Sequence, residues 1–178
     1  TLTKITDSGG TNGGGVDTTA LNIVSTVNVV SVNDAPVITG PNAAPTANSG
    51  VAYNLPTGYG LNDVDAGNGT LRVSFKVTEG TSTTNNALSY QLISGVTFIS
   101  ATNNIATFQG TLSDLRNWLN TPGHVSFTPT SMFAGNAKVT VTVDDTGNSG
   151  GLAQTSSINY NLTVDNKPVL LNAVTSPD

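Results

Sequence analysis

The 178-residue sequence contains no cysteine and only one histidine, His124. Without cysteine the chain has no disulfides, no thiolate metal site and no cysteine nucleophile. Charged residues make up 10% of the chain and aromatic residues 6%, and no apolar run is long enough for a membrane-spanning helix. The net charge is −5, which argues against nucleic acid or anionic lipid as a partner. We therefore expect no nucleic-acid binding and no membrane insertion.

The sequence also offers little for catalysis. A serine triad requires a histidine that a carboxylate orients against the serine, and His124 stands next to a predicted strand, where a surface histidine is the simpler interpretation. The loop from Gly147 to Gly151 resembles a serine-protease loop only superficially. We expect that the protein is not an enzyme and that it has neither catalytic residues nor an organic cofactor.

Strand-like alternation of apolar and polar residues covers most of the chain, with turn-forming clusters of Asn, Gly and Pro between the strands. One stretch has helical spacing instead: Leu112, Leu115 and Trp118 lie on one face, with Thr111 or Ser113 as N-cap. The pattern predicts an all-β Greek-key sandwich, similar to cadherin or immunoglobulin domains, with one short helix of about ten residues. We expect Trp118 to fill part of the core. The clearest alternating strands are 71–77, 88–92, 125–127, 139–143 and 157–164.

The sequence repeats itself. The junction Val32–Val37 returns as Val164–Val169, and Pro36 and Pro168 are 168 − 36 = 132 residues apart. Before each junction an aspartate, Asp7 or Asp145, precedes a Gly-rich loop. This predicts three parts: residues 1–35 as the last two strands and linker of a preceding repeat, or a donor hairpin; 36–164 as a complete repeat; and 165–178 as a linker to the next. We expect the chain to be a piece of a longer protein.

Acidic residues cluster at turns rather than along strands. Asp63 and Asp65 are two positions apart, so in an extended chain both carboxylates lie on the same side of the backbone. Clustered carboxylates are costly unless a cation lies between them, and calcium binds six to eight oxygens of carboxylates, amides and backbone carbonyls. Each of these aspartates could instead be a turn former whose side chain accepts a hydrogen bond from its own backbone. The groupings are Asn33-Asp34, Asp63-Val64-Asp65, Asp144-Asp145 and Asp165-Asn166.

The order of these groupings resembles the cadherin repeat. The junction Val32–Val37, the later Asp63 and Asp65 pair, and Asp145 before a Gly-rich loop follow the family's order of linker, Asp-x-Asp and late-strand aspartate. The chain looks most like the bacterial cadherin-like tandem repeats of large surface adhesins. Further similarities are Gly110–Leu112 at the helix entry, Phe127–Pro129 and Phe133–Gly135.

The resemblance implies a Ca²⁺ site made by Asn33 and Asp34 of the linker, Asp63 and Asp65 of the first inter-strand loop, and Asp145. The sequence departs from the family in having no glutamate where cadherins use glutamate ligands. Its only glutamate, Glu79, belongs to another loop. The second junction has Asp165-Asn166 in place of Asn33-Asp34, and Asp7 would serve the preceding repeat.

The resemblance also implies a function. It predicts a non-enzymatic, calcium-rigidified structural repeat of an extracellular bacterial adhesin or matrix protein, acting as a spacer or cell-adhesion module at the cell surface. Its partners would be neighbouring repeats or subunits of the same protein. Two alternatives remain open: an adhesin module that binds carbohydrate or a cell-surface protein, and a filament subunit in which the hairpin Thr1–Ser31 donates strands to a neighbouring molecule.

Overall fold

The computed structural model describes residues 4–6, 13, 18–20, 26–41, 45–81, 87–102, 104–148 and 150–166. The chain divides into two compact units, Thr1–Val30 and Ser31–Asp178. In the first unit, β1 (Lys4–Thr6) pairs antiparallel with β2 (Thr18–Ala20). The predicted linker residues 31–35 fall within the second unit, whereas the three-part repeat organisation stays a prediction.

The second unit is built almost entirely of strands, with one helix. This confirms the predicted all-β fold. In chain order its elements are β3 (Val37–Thr39), β4 (Thr46–Asn48), β5 (Tyr53–Asn54), β6 (Gly60–Asn62), β7 (Thr70–Glu79), β8 (Ala87–Tyr90), β9 (Val96–Thr102), β10 (Ile105–Thr111), α1 (Leu112–Leu119), β11 (Val125–Thr128), β12 (Gly135–Asp144) and β13 (Thr155–Asp165).

The strands form a sandwich-like arrangement of sheets. The largest sheet has six strands in the order β4-β13-β12-β7-β10-β9, a second has three in the order β5-β11-β8, and β3 pairs with β6. The long strands β7, β12 and β13 alternate as their sequences predict: along β7, Leu71, Val73, Phe75 and Val77 are at most 1% exposed, while the intervening side chains are less buried. These inward positions, with Phe127 of β11, build the core.

The helix α1 is where the sequence predicts it, and it has eight residues. Thr111 is the N-cap, because its side chain accepts a hydrogen bond from the backbone N–H of Asp114 at 3.2 Å. The Asp114 carboxylate lies in the first turn, where the helix dipole favours negative charge. Trp118 is 0% exposed, which confirms its predicted place in the core. In the part of the chain that the structure describes, no helix is long and apolar enough to cross a membrane.

The first and last strands of the six-stranded sheet in chain order, β4 and β13, are neighbours and run parallel to each other. Thr163, Val164 and Asp165 of β13 lie opposite Thr46, Ala47 and Asn48 of β4. Two backbone hydrogen bonds flank this pairing, from Thr163 N–H to the Pro45 carbonyl at 3.0 Å and from Ser49 N–H to the Asp165 carbonyl at 2.9 Å. β3, just before β4, pairs instead with β6. The beginning of the second unit therefore takes part in two sheets.

Candidate functional site

The five residues that the resemblance assigns to a calcium site lie in one continuous chain of contacts. The Asn33 amide donates to the Asp145 carboxylate at 2.7 Å, and the backbone N–H of Asp34 donates to the Asp65 carboxylate at 2.5 Å. The N–H of Asp65 donates in turn to Asp63 Oδ1 at 2.9 Å. Asp145 follows β12, Asp63 follows β6, and Asn33-Asp34 precede β3. The topology thus brings together residues up to 112 positions apart.

Asn33 is buried, with 7% of its surface exposed, and its amide orientation is fixed by its neighbours. Nδ2 donates to Asp145 Oδ2 at 2.7 Å and to the Leu152 carbonyl at 2.9 Å. Both partners are acceptors only, so the amide nitrogen must face them. Asn33 Oδ1 therefore faces away from these two groups, and it is buried without a hydrogen-bond donor.

Asp63 provides the second buried oxygen of this site that lacks a hydrogen-bond donor. The residue is 7% exposed; Oδ1 accepts the N–H of Asp65, while Oδ2 is buried and receives no hydrogen bond. The extended arrangement predicted for Asp63 and Asp65 is not present, because the chain bends at Val64 and Asp65. The Asp63 carboxylate accepts the backbone N–H of Asp65, as in an Asx turn. A buried acceptor without a donor costs about 1–3 kcal/mol, and more when charged. The site therefore holds oxygens whose burial the protein alone does not offset.

Asp145 is 1% exposed and its carboxylate is well supplied with donors. Oδ1 accepts the backbone N–H of Gln154 at 2.8 Å and of Gly147 at 2.9 Å, and Oδ2 accepts the Asn33 amide. Burial acts to raise the pKa of Asp145, but the N–H groups of Gln154, Gly147 and Asn33 together hold that pKa below its ordinary value. The carboxylate is therefore ionised at neutral pH.

This lowered pKa predicts acid sensitivity of the fold. A carboxyl whose pKa is lower in the folded than in the unfolded chain stabilises the fold fully above the unfolded value of about 3.9, and this stabilisation is lost as the pH falls through the folded pKa. In calcium-free buffer we expect the free energy of unfolding to fall more steeply below about pH 4 in the wild type than in Asp145→Asn. Urea titrations at stepped pH measure both slopes; equal slopes would contradict the prediction.

The loop after Asp145 attaches the linker to the sandwich. The Gln154 side-chain amide donates to the Asn33 carbonyl. Gly151 lies so close to Asn33 that a Cβ at this glycine would be 2.5 Å from the Asn33 Cβ. Thr146 adopts a left-handed φ of 59° and donates its hydroxyl to the Thr70 carbonyl at 2.8 Å, so the loop is also fixed to the start of β7. Sequence reasoning missed Gln154, Gly151 and the Leu152 carbonyl, and the Gly-rich loop was the only signal for them.

Glu79 and Asp165 lie at the opposite end of the sandwich from Asp145. Glu79 ends β7, about 30 Å along the strand from Thr70, and both its carboxylate oxygens accept hydrogen bonds from Thr130, at 2.8 Å and 2.5 Å. Asp165 ends β13 and is exposed at this same end of the sandwich. Asp7 lies outside the described residues. Neither Glu79 nor Asp165 joins the chain of contacts around Asn33.

The arrangement is not a cluster of carboxylates. Among the described residues, no group of three or more Asp, Glu, His or Cys side chains is placed to hold a metal ion together. The oxygens that this end of the sandwich offers are mixed in kind: an amide oxygen from Asn33, a carboxylate oxygen from Asp63 and the neighbouring Asp34 and Asp65. Calcium, which accepts neutral amide and carbonyl oxygens and retains water, is the cation whose chemistry fits such a set.

Comparison of the sequence with protein-family models and with curated proteins found no match in either set. The similarity to cadherin-like repeats therefore stays a prediction that depends on the motifs quoted above.

Proposed function

We propose that the protein is a calcium-binding structural repeat, in which an ion at the Asn33 end of the sandwich stiffens the joint with the preceding part of the chain. The observation that carries this proposal is the pair of buried oxygens without donors, Asn33 Oδ1 and Asp63 Oδ2. They belong to two different segments, the linker and the loop after β6. A cation bound by both would offset the cost of their burial and connect the two segments.

The residues fit this ion by charge as well as by type. Asp65 Oδ2 accepts the backbone N–H of Asp34, and Asp63 Oδ1 accepts the backbone N–H of Asp65, so the carboxylates of Asp63 and Asp65 lie in one hydrogen-bonded segment. A divalent cation would reduce their mutual repulsion. Asn33 and Asp63 would supply buried oxygens, with Asp34 and Asp65 at the exposed rim; calcium would contribute charge neutralisation and coordination.

The linker is also held by the protein itself. Asn33 and Asp34 make four hydrogen bonds to the sandwich, to Asp65, Asp145, Leu152 and Gln154. Charge repulsion is therefore not the only force at the joint, and the ion would reinforce an attachment that already exists. This suits a spacer in an extracellular adhesin or matrix protein, where each repeat must keep its orientation to the next.

A calcium titration followed by thermal melting tests the proposal. In the full chain, calcium should raise the melting temperature above its value in chelator, because an ion that binds only the folded state stabilises it by mass action. Magnesium at the same concentration should have a much smaller effect, since it requires a stricter octahedral geometry. Equal melting temperatures in calcium and in chelator would overturn the proposal.

A second candidate function is assembly by strand donation, and one observation favours it. Val27, Val29, Val30 and Val32 are 74–85% exposed. Through the 132-residue spacing of the repeat, two of them correspond to Leu162 and Val164, which are 0% and 1% exposed in β13. The segment 26–32 thus has the sequence of a buried strand and an exposed position.

If this segment inserts into a neighbouring molecule, the chain should associate as its concentration rises. Sedimentation should then show a growing oligomer fraction that Val30→Asp/Val32→Asp abolishes, because the carboxylates cannot enter an apolar core. Exposed Thr26→Asp/Asn28→Asp is the matched control for added charge in the same segment. A wild-type chain that stays monomeric at all concentrations would exclude strand donation between copies.

A further inference from the structure

We propose that Asp145 is a positioning residue of the calcium site: it orients the Asn33 amide so that the amide oxygen, and not the Asp145 carboxylate, contacts the ion. This inference rests on the calcium site proposed above and assigns different roles within it. It departs from the family pattern, which predicts the late-strand aspartate as a ligand.

Both carboxylate oxygens of Asp145 already accept hydrogen bonds. Three N–H groups donate to them at 2.7–2.9 Å, and the residue is 1% exposed. A cation on Oδ2 would compete with the Asn33 N–H for the same oxygen. It would also lie beside the partial positive charge of that N–H, which would repel it. The carboxylate therefore already has the donors that its charge requires.

Asn33, in contrast, has an amide oxygen without a hydrogen-bond donor. Its Nδ2 is held by two acceptors, Asp145 Oδ2 and the Leu152 carbonyl, and its Oδ1 is buried without any donor. Of the two oxygen sources, the amide lacks a partner and the carboxylate does not. A cation bound to the amide oxygen of Asn33 therefore offsets a larger burial cost than one bound to the Asp145 carboxylate, which already has donors.

Gln154 makes the arrangement rigid. Its backbone N–H donates to Asp145 Oδ1, its carbonyl accepts the Asp145 N–H at 3.1 Å, and its side chain donates to the Asn33 carbonyl. Asp145, Gln154 and Asn33 therefore form a closed set of hydrogen bonds. Such outer groups set the direction of a ligand without touching the ion.

Two variants separate the two roles. In Asp145→Asn, an amide N–H₂ replaces Oδ2 and faces the Asn33 N–H₂; the Asn33 amide must turn over, and its nitrogen then points into the site. Calcium affinity should fall by about 10–100-fold. In Asn33→Asp/Asp145→Asn, a carboxylate oxygen at position 33 accepts from the new amide while the other oxygen faces the site, so most of the affinity should return. Asp144→Asn is the matched control and should bind calcium as the wild type does.

Calorimetry with calcium gives the affinities, and terbium luminescence lifetimes in H₂O and D₂O give the number of waters on the ion. Terbium in Asp145→Asn should carry more water than in the wild type, and the double variant should return to the wild-type number. If Asp145 is a ligand through Oδ2, both variants lack that oxygen and both should keep the extra water and the lost affinity. That result would overturn the inference.

A measurement on the wild-type chain does not depend on variants that fold. With ¹³C and ¹⁵N labelling, calcium should shift the side-chain carbonyl carbons of Asn33 and Asp63 more than that of Asp145, and the Asn33 amide protons should stay protected from exchange. A largest shift at Asp145 would overturn the positioning role while leaving the calcium site intact. No calcium-dependent shift at any of the three would overturn the proposed function itself.

Discussion

Replacing Asp63 by Asn should abolish the rise in melting temperature that calcium produces. The variant removes the charge of the buried oxygen that lacks a donor and retains an oxygen for the Asp65 N–H. At calcium 100-fold above its dissociation constant the wild type should gain about 2.7 kcal/mol. For a chain of this size that corresponds to a rise of about 5–11 °C. Differential scanning calorimetry with and without calcium measures the difference.

Asp165→Asn is the matched control. It removes the same charge at the opposite end of the sandwich from Asp145 and should leave the calcium effect intact. In chelator, Asp63→Asn should melt at or above the wild-type temperature, since a buried neutral amide costs less than a buried carboxylate. A full calcium-dependent rise in Asp63→Asn would remove this residue from the site. A loss of the rise in both variants would mean that overall charge, not this oxygen, governs binding.

Replacing Trp118 by Ala should cause the largest loss of stability in the chain. The side chain is 0% exposed, its ring lies 4.5 Å from that of Phe108 and 6.1 Å from that of Phe75, and its Nε1 donates to the Gln91 carbonyl at 2.6 Å. Truncating a buried tryptophan costs about 3–5 kcal/mol. The melting temperature should fall by about 6–20 °C.

Trp118→Phe separates packing from hydrogen bonding. It keeps a ring against Phe108 and leaves a smaller cavity than alanine does. It also gives up the bond to Gln91, whose carbonyl belongs to an exposed residue and can bond water. Its loss should be less than half that of the alanine variant. Because the ring contacts and the side-chain hydrogen bond of Trp118 are with Phe75, Phe108 and Gln91, none of which is a predicted site residue, calcium should raise the melting temperature of both variants as it does the wild type. Equal losses in the two variants would show that the hydrogen bond, not the ring packing, dominates.

Elements whose signals are local could be predicted from the sequence. The helix has its N-cap, apolar face and stop within a dozen residues, and β7, β12 and β13 alternate over long runs. The strands β9 and β10 were missed for a physical reason. Six of the seven residues of β9 are exposed, with a bulge at Ile99, and two of the three inward positions of β10 are the small residues Ala106 and Gly110. Neither strand therefore shows the regular alternation of large apolar and polar residues that predicts a half-buried strand.

The sequence predicts which residues lie together at this end of the sandwich, but not how they are arranged. The junction, the Asp-x-Asp pair and the late-strand aspartate name the five residues that the structure brings into one chain of contacts. What they cannot give is which oxygen each residue offers, because that depends on backbone groups such as the Leu152 carbonyl and the Gly147 N–H. A backbone carbonyl has no signature in sequence. The bend at Asp63–Asp65, likewise, contains a hydrogen bond from the Asp65 N–H to the Asp63 carboxylate that extended spacing does not anticipate.

The parallel pairing of β4 with β13 has a mechanical consequence. If tension is applied at the Asn33 linker and after Asp165, the two strands are pulled lengthwise in opposite directions, and their hydrogen bonds are loaded in shear. The bonds between Pro45 and Thr163 and between Ser49 and Asp165 then bear the load together instead of opening one after another as in a zipper. The strand order thus gives the sandwich resistance to stretching along this pair of strands.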